Sequence, residues 1–233
     1  MHPAIGDSIA EIFRTALLIL AAVFPIVNPI GNTPIFLVLT RGATSRDRAI
    51  LSRKIAINGF ILLVLSVLIG TNILAFFGIS LPVVQVGGGL VVIATGWSLL
   101  NRSDDADDPA DDTCPPPKSV HPHPDVSRRA FYPLTLPLTV GPGSISVAIT
   151  VGASRPQNEP AWAMLAAVLI GSFIVAVTIY LSYRFAERIA RLLGETAMNV
   201  LIRLSSFILV CIGVQILWNG VSALLKSALN TQT

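Results

Sequence analysis

An apolar run from Ala16 to Leu39 is interrupted by three prolines, and this feature limits the fold more than any other part of the chain. The interruption, Phe24–Pro34, also holds one glycine and two asparagines. A run of this length is typical of a membrane-spanning helix, but proline has no N–H group to donate to a helix. Unpaired backbone groups survive in a bilayer only when protein buries them or they line a cavity. The run therefore predicts a broken span with a site at the break.

A second interrupted run follows about 112 residues later, at Leu136–Ser144. It also lies inside an apolar segment and also combines proline with glycine. Interrupted spans at corresponding positions of two halves are typical of transporters, whose binding sites lie between such breaks. The pair predicts one site shared by the two halves.

The composition predicts a membrane protein with several spans. Hydrophobic residues make up 53% of the 233 residues, charged residues 12%, and the mean hydropathy is +0.72. The net charge of +3 does not indicate nucleic-acid binding, because the basic residues lie in short loops between apolar runs. Cys114 and Cys211 lie in a polar loop and an apolar run, so they indicate neither a disulfide framework nor a metal site.

Six segments reach the roughly 20 residues that cross a hydrocarbon core about 30 Å thick. They are residues 14–40 (broken), 53–76, 82–100, 130–152 (broken), 161–183 and 199–225. The expected fold is an all-α membrane protein of six transmembrane helices in a single domain, 1–233.

Basic residues predict the orientation of these helices. Of the sixteen Lys and Arg residues, only Arg14, Arg155 and Lys226 fall on one face of the expected arrangement, which leaves thirteen on the other. The positive-inside rule makes the face with thirteen cytoplasmic. Both termini are then expected on the periplasmic or extracellular side.

Three spans in each half predict an inverted repeat, because an odd number reverses the direction in which the second half enters the membrane. Repeat 1 is expected over about 10–100 and repeat 2 over about 129–226, with the first helix of each broken at its Pro/Gly motif. The run Gly88–Gly96 matches Ser205–Gly213 in the spacing of its small residues, which favours close helix packing in both halves.

The link over about 101–128 is acidic and rich in proline, and it has almost nothing apolar to bury. This composition is typical of a disordered linker. Cys114, His121 and His123 leave metal binding as an alternative, although such a tract rarely preforms a metal site.

The two breaks predict a pocket near the membrane midplane. Half-helices that restart there direct N–H groups and partial positive charge at the pocket, while half-helices that end there contribute carbonyls. Such a pocket suits a small zwitterion. The candidate substrate-binding residues are Asn28, Pro29, Gly31, Asn32, Thr33, Thr139, Gly141, Pro142, Gly143 and Ser144.

Other functions are less well supported by the residues. No Asp, Glu or His lies deep in a predicted span, which disfavours a proton relay; coupling to Na⁺ or H⁺ stays open, and no cofactor is expected. No hydrolase or metalloprotease motif is present, so the chain is not expected to be an enzyme. The alternatives are an aquaporin-like channel, which Asn28-Pro29 favours, and a membrane scaffold that transports nothing. A homo-oligomer is compatible with each of these functions.

The runs Phe24–Thr40 and Pro137–Gly143 make the sequence resemble the MarC family of bacterial inner-membrane proteins, with a weaker similarity from Arg203 to Ser206. The similarity covers nearly the whole chain except about 101–127. Ser205 and Ser206 stand where a small residue and a glycine look more usual in the family. The resemblance implies an inner-membrane protein similar to neutral amino-acid transporters and LysE-like exporters.

Overall fold

The computed structural model describes residues 5–40, 42–101, 130–154 and 160–230. The predicted linker lies outside these residues. The described part of the chain is helical and contains no β-strand. Its helices are α1 (Ile5–Val27), α2 (Thr33–Leu39), α3 (Ser45–Phe76), α4 (Leu81–Leu100), α5 (Ala130–Thr139), α6 (Pro142–Ala153), α7 (Ala161–Arg184) and α8 (Ala186–Asn230). Of these, α5 is a π-helical segment in which Tyr132 and Leu136 have extended backbone angles.

Five of the described helices are long and apolar enough to cross a membrane, and they lie in α1, α3, α4, α7 and α8. The predicted span at 130–152 is instead divided between α5 and α6, and α6 alone is only 12 residues long. Both predicted breaks therefore coincide with ends of helices. The all-helical membrane fold is confirmed at this level.

Besides α1, which begins at Ile5 rather than near residue 14, two helices begin well before their predicted spans. α3 begins at Ser45 rather than near residue 53, because Thr44 and Asp47 form a capping box in which each side chain binds the other's backbone N–H. α8 begins at Ala186 and bends at Gly194, whose φ of 71° combined with a ψ of 171° is readily adopted only by glycine. Both extensions lie in the basic links between the predicted spans.

The buried core lies where α1, α3 and α7 meet the two breaks. Fully buried side chains from these elements include Ile19, Val23, Ile55, Leu63, Val175 and Ile179. α1 packs mainly against α7, whereas α5 and α6 pack against α3. Each broken segment is thus held by the long helix that follows the other break.

α4 and α8 form a separate, glycine-mediated antiparallel pair. A Cβ atom on Gly89 would lie 2.6 Å from the Leu217 nitrogen, and one on Gly96 would lie 3.0 Å from the Ser206 oxygen. Residue numbers fall along α8 as they rise along α4, so the two helices run in opposite directions. Their backbones approach too closely for larger side chains at these positions.

α3 and α7 are also antiparallel neighbours. Gly59 on α3 lies beside Ile179 near the end of α7, while Val67 lines a cavity with Met164 near the start of α7. The Arg53 end of α3 therefore lies beside the Arg184 end of α7.

Candidate functional site

The first break is a tight turn built by Asn28. α1 continues through Pro25 to Val27, three residues beyond the end expected near Phe24. Asn28 then has a φ of +44°, which asparagine tolerates better than most residues. Its side-chain oxygen accepts the Gly31 N–H at 3.2 Å. A Cβ atom on Gly31 would lie 2.3 Å from the Asn28 amide nitrogen, so a larger residue there would displace the Asn28 side chain from this bond.

The start of α2 has fewer free N–H groups than the sequence suggested. The N–H of Asn32 binds the Asn28 carbonyl at 3.0 Å, and that of Thr33 binds the Ile30 carbonyl at 3.1 Å. Pro34 has no N–H group. The buried Thr33 hydroxyl donates to the Pro29 carbonyl at 3.0 Å. The Thr33 hydroxyl thus donates to the turn and does not cap the helix by accepting one of its N–H groups.

In the second break, two threonine hydroxyls pair with backbone carbonyls of the same segment. The buried Thr135 and Thr139 hydroxyls donate to the carbonyls five residues earlier, Ala130 at 2.6 Å and Leu134 at 2.7 Å. The Val140 N–H reaches back five residues as well, to Thr135. This five-residue spacing is the pattern of a π-helical turn, which often occurs at functional sites. The hydroxyls thus satisfy carbonyls in a segment interrupted by two prolines.

α6 restarts after an extended residue, Gly141, with Pro142 at its first position. The Ser144 hydroxyl donates to the Gly141 carbonyl at 2.9 Å, and Ser144 is 1% exposed. First-turn N–H groups of a helix have no partner within the helix. The backbone N–H groups of Gly143 and Ser144 therefore remain donors at the start of α6, as the sequence predicts.

Asn32 joins the two breaks directly. Its side-chain amide donates to the Val27 carbonyl at 2.9 Å, at the end of α1, and to the Leu138 carbonyl at 3.1 Å, in α5. Asn32 is 5% exposed, so these bonds form away from solvent. A single amide thus pairs with carbonyls of two proline-interrupted segments. Asn32 and Leu138 are 106 residues apart in the sequence.

A buried tyrosine adds a second connection. The Tyr183 hydroxyl lies 2.9 Å from the Thr139 hydroxyl, and its ring stacks on Phe36 of α2 with centroids 4.5 Å apart. Both aromatic residues are buried. α2, α5 and α7 therefore meet around one polar contact beside the breaks. The sequence placed Tyr183 at a helix end and gave no signal for its pairing with Thr139.

Gly143 has a packing role that the sequence did not indicate. A Cβ atom on Gly143 would lie 2.1 Å from Cγ2 of Val92, so this glycine lets α6 approach α4. A larger side chain there is expected to disturb helix packing before it reaches any substrate. Substitutions of Gly143 therefore cannot separate binding from folding.

Two cavities lie outside the breaks, and none of the ten predicted site residues lines either of them. One, of about 570 Å³, lies between α3 and α7. The other, of about 400 Å³, lies where α3, α6 and α7 meet, and Thr71 and Asn72 contribute its polar side chains. Asn32 instead bonds directly to both breaks. No cluster of three His, Cys, Asp or Glu residues suited to a metal occurs in the described ranges.

Arg48 ties three elements together at the basic end of α3. Its guanidinium pairs with the carboxylate of Glu187 in α8 and donates to the Thr40 carbonyl, which follows α2, at 3.3 Å. The arginine side chain is only 20% exposed. The sequence assigned Arg48 to a basic loop and did not predict this contact with Glu187.

Comparison with known proteins gives a family for the chain. The profile described as MarC family integral membrane protein matches residues 11–225. "UPF0056 inner membrane protein MarC" of Escherichia coli strain SMS-3-5 is 30% identical over 219 residues, covering 93% of this chain and 98% of the relative. The protein of the same name from strain K12 is 30% identical over 220 residues, with the same coverage. No solved structure matches the chain. The chain belongs to the MarC family of integral membrane proteins.

Proposed function

We propose that the chain is an inner-membrane transporter of small neutral amino acids or similar small solutes, with its site between the two breaks. The observation that carries the proposal is the Asn32 amide, which bonds to carbonyls of both interrupted segments. Backbone groups at such breaks are costly in hydrocarbon unless they are paired or line a cavity. The name of the relatives, inner membrane protein, supports the location.

The polar groups at the breaks fit a zwitterionic solute once the breaks separate. Val27 and Leu138 carbonyls, released from Asn32, would accept from an ammonium group. The first-turn N–H groups of Gly143 and Ser144 would donate to a carboxylate. In the described arrangement Asn32 occupies the two carbonyls, so substrate entry requires it to move. The proposal gives the chain no catalytic role, and it leaves the coupling ion open.

Six spans in two inverted repeats are part of the proposal. The contact between α4 and α8 supports it, because Gly89 meets Gly213 while Gly96 meets Ser206. In the predicted alignment of repeats, Gly89 corresponds to Ser206 and Gly96 to Gly213. Each contact is then the image of the other, which is the property of an interface on a two-fold axis.

Transport is tested in vesicles reconstituted with the purified protein. Labelled glycine, alanine and serine are offered with and without a Na⁺ or proton gradient, and uptake above that of empty vesicles is expected for at least one. Rapid osmotic swelling without amino-acid uptake would favour the aquaporin-like channel instead. If neither amino acids nor water crossed the membrane, the result would favour a membrane scaffold that transports nothing.

The proposed orientation predicts from which side of the membrane a thiol reagent can label an introduced cysteine. In a variant with Cys114 and Cys211 replaced by serine, Ser45→Cys should react from the cytoplasmic side and Ser80→Cys only from outside. Both positions are exposed at helix starts, in a basic and an uncharged link respectively. An impermeant thiol reagent applied to intact cells and to inverted vesicles makes the measurement. Labelling of position 80 from the cytoplasm would overturn the orientation.

A further inference from the structure

The groove between α3 and α7 has the size and lining of a binding site on the lipid-facing surface. Its volume is about 570 Å³, within the roughly 300–1,000 Å³ typical of small-molecule sites. Both helices contribute four residues: Arg53, Ala56, Ile57 and Phe60 from α3, and Phe173, Ala176, Val177 and Tyr180 from α7. On each helix their spacing of three, one and three residues places them on one face.

Small and large side chains shape this groove. Ala56 and Ala176 form its floor, since each is only 7% exposed. Ile57 and Phe173 form its rim, with exposed fractions of 46% and 61%. A groove with an apolar floor and rim, open towards hydrocarbon, is suited to an acyl chain.

One end of the groove carries a charge. Among the described residues, Arg53 is the only charged one that lines it, and Tyr180 lies at the same end because the helices are antiparallel. In the described ranges, Arg53 has no hydrogen bond or ion pair. Arginine pairs strongly with phosphate oxygens, and basic pockets between transmembrane helices bind anionic lipid headgroups.

We propose that this groove binds one anionic phospholipid from the leaflet at the Arg53 end of α3. Its phosphate pairs with Arg53, and one acyl chain lies over Ala56 and Ala176 towards Phe60 and Phe173. The inference does not depend on transport, because it uses none of the break residues. A lipid in this position contacts α3 and α7 together.

Native mass spectrometry of the purified full chain tests the proposal. The protein is offered phosphatidylglycerol and phosphatidylcholine with identical chains in equal amounts, and one retained phosphatidylglycerol is expected to predominate. Arg53→Gln should lower the ratio of bound phosphatidylglycerol to bound phosphatidylcholine about fivefold. That factor corresponds to roughly 1 kcal/mol for one basic side chain at an anionic surface.

Two further variants separate headgroup from chain. Arg46→Gln removes an exposed arginine two turns away on α3, outside the groove, and should leave the ratio unchanged. Ala176→Leu partly fills the floor and should reduce retention of both lipids without changing their ratio. The melting temperature and elution volume of each variant are measured as well, and values equal to those of the unmodified protein exclude misfolding.

Several results would overturn the proposal. Equal retention of the two lipids by the unmodified protein would remove the preference for an anionic headgroup. An equal loss in Arg46→Gln would show that general surface charge, rather than this groove, selects the lipid. Unchanged lipid retention in Ala176→Leu would place the lipid elsewhere. A lipid-free dimer that dissociates in Ala176→Leu would identify a second copy of the chain as the occupant.

Discussion

Replacing Asn32 by alanine is expected to lower both stability and transport. The substitution leaves the Val27 and Leu138 carbonyls without the donor they now share. An unsatisfied buried acceptor costs about 1–3 kcal/mol, against a total stability of about 5–15 kcal/mol for a typical protein. Thermal unfolding in detergent should therefore show a clear drop in melting temperature. Amino-acid uptake should fall as well, because a smaller fraction of the protein then keeps the two breaks together at the proposed site.

Asn219→Ala is the matched control for this experiment. Asn219 is an exposed asparagine on α8 that accepts a bond from Gln215 within the same helix. Its replacement should change neither the melting temperature nor uptake by much. Similar losses in both variants would show that any asparagine matters for folding, and the role of Asn32 at the breaks would then be wrong. Unchanged stability in Asn32→Ala would contradict the bridge itself.

Gly89→Val is expected to prevent stable assembly of α4 with α8. The added Cβ atom would lie 2.6 Å from the Leu217 nitrogen and 2.8 Å from the Gly213 oxygen. These are backbone atoms, which cannot rotate away as a side chain can, so the helices must separate. Overpacking typically costs about 1–3 kcal/mol and sometimes more. The amount of protein in the membrane and the monodisperse fraction after purification should both fall strongly.

Gly87→Val on the same helix gives a close control. A Cβ atom on Gly87 meets no atom of the described residues within 4 Å, so the same side chain is added without a clash. The two variants have the same change in helix propensity and hydrophobicity, and only their packing differs. Near-normal amounts of Gly87→Val beside depleted Gly89→Val are expected. Equal yields of the two would mean that α4 and α8 do not pack through these glycines.

The sequence predicted the positions of both breaks because the cause is local. Proline and glycine limit the backbone, and the segments around Pro29 and Pro142 are interrupted as this predicts, although α1 continues through Pro25. The early start of α3 could also have been read from the sequence, since Thr44 and Asp47 have the spacing of a capping box.

The partners of the breaks could not be predicted in the same way. Asn32 and Leu138 are 106 residues apart, and Thr139 and Tyr183 are 44 apart. Such pairs depend on how helices pack in three dimensions, which no local pattern specifies. From the sequence we expect unpaired backbone carbonyls at the breaks. The structure shows that amide and hydroxyl side chains pair with several of them, since unpaired groups are costly in hydrocarbon.

α2 is held at both ends, so it links the membrane interior to the surface as one rigid element. At its inner end Asn32 bonds to both breaks, and just beyond its outer end the Thr40 carbonyl accepts from Arg48. Only seven residues separate these attachments, so α2 has too little length to bend and must tilt or shift as one piece. A solute that displaces Asn32 then works against the Arg48–Glu187 ion pair. Linkage is reciprocal, so salt that screens this ion pair would ease opening of the breaks by the same coupling free energy.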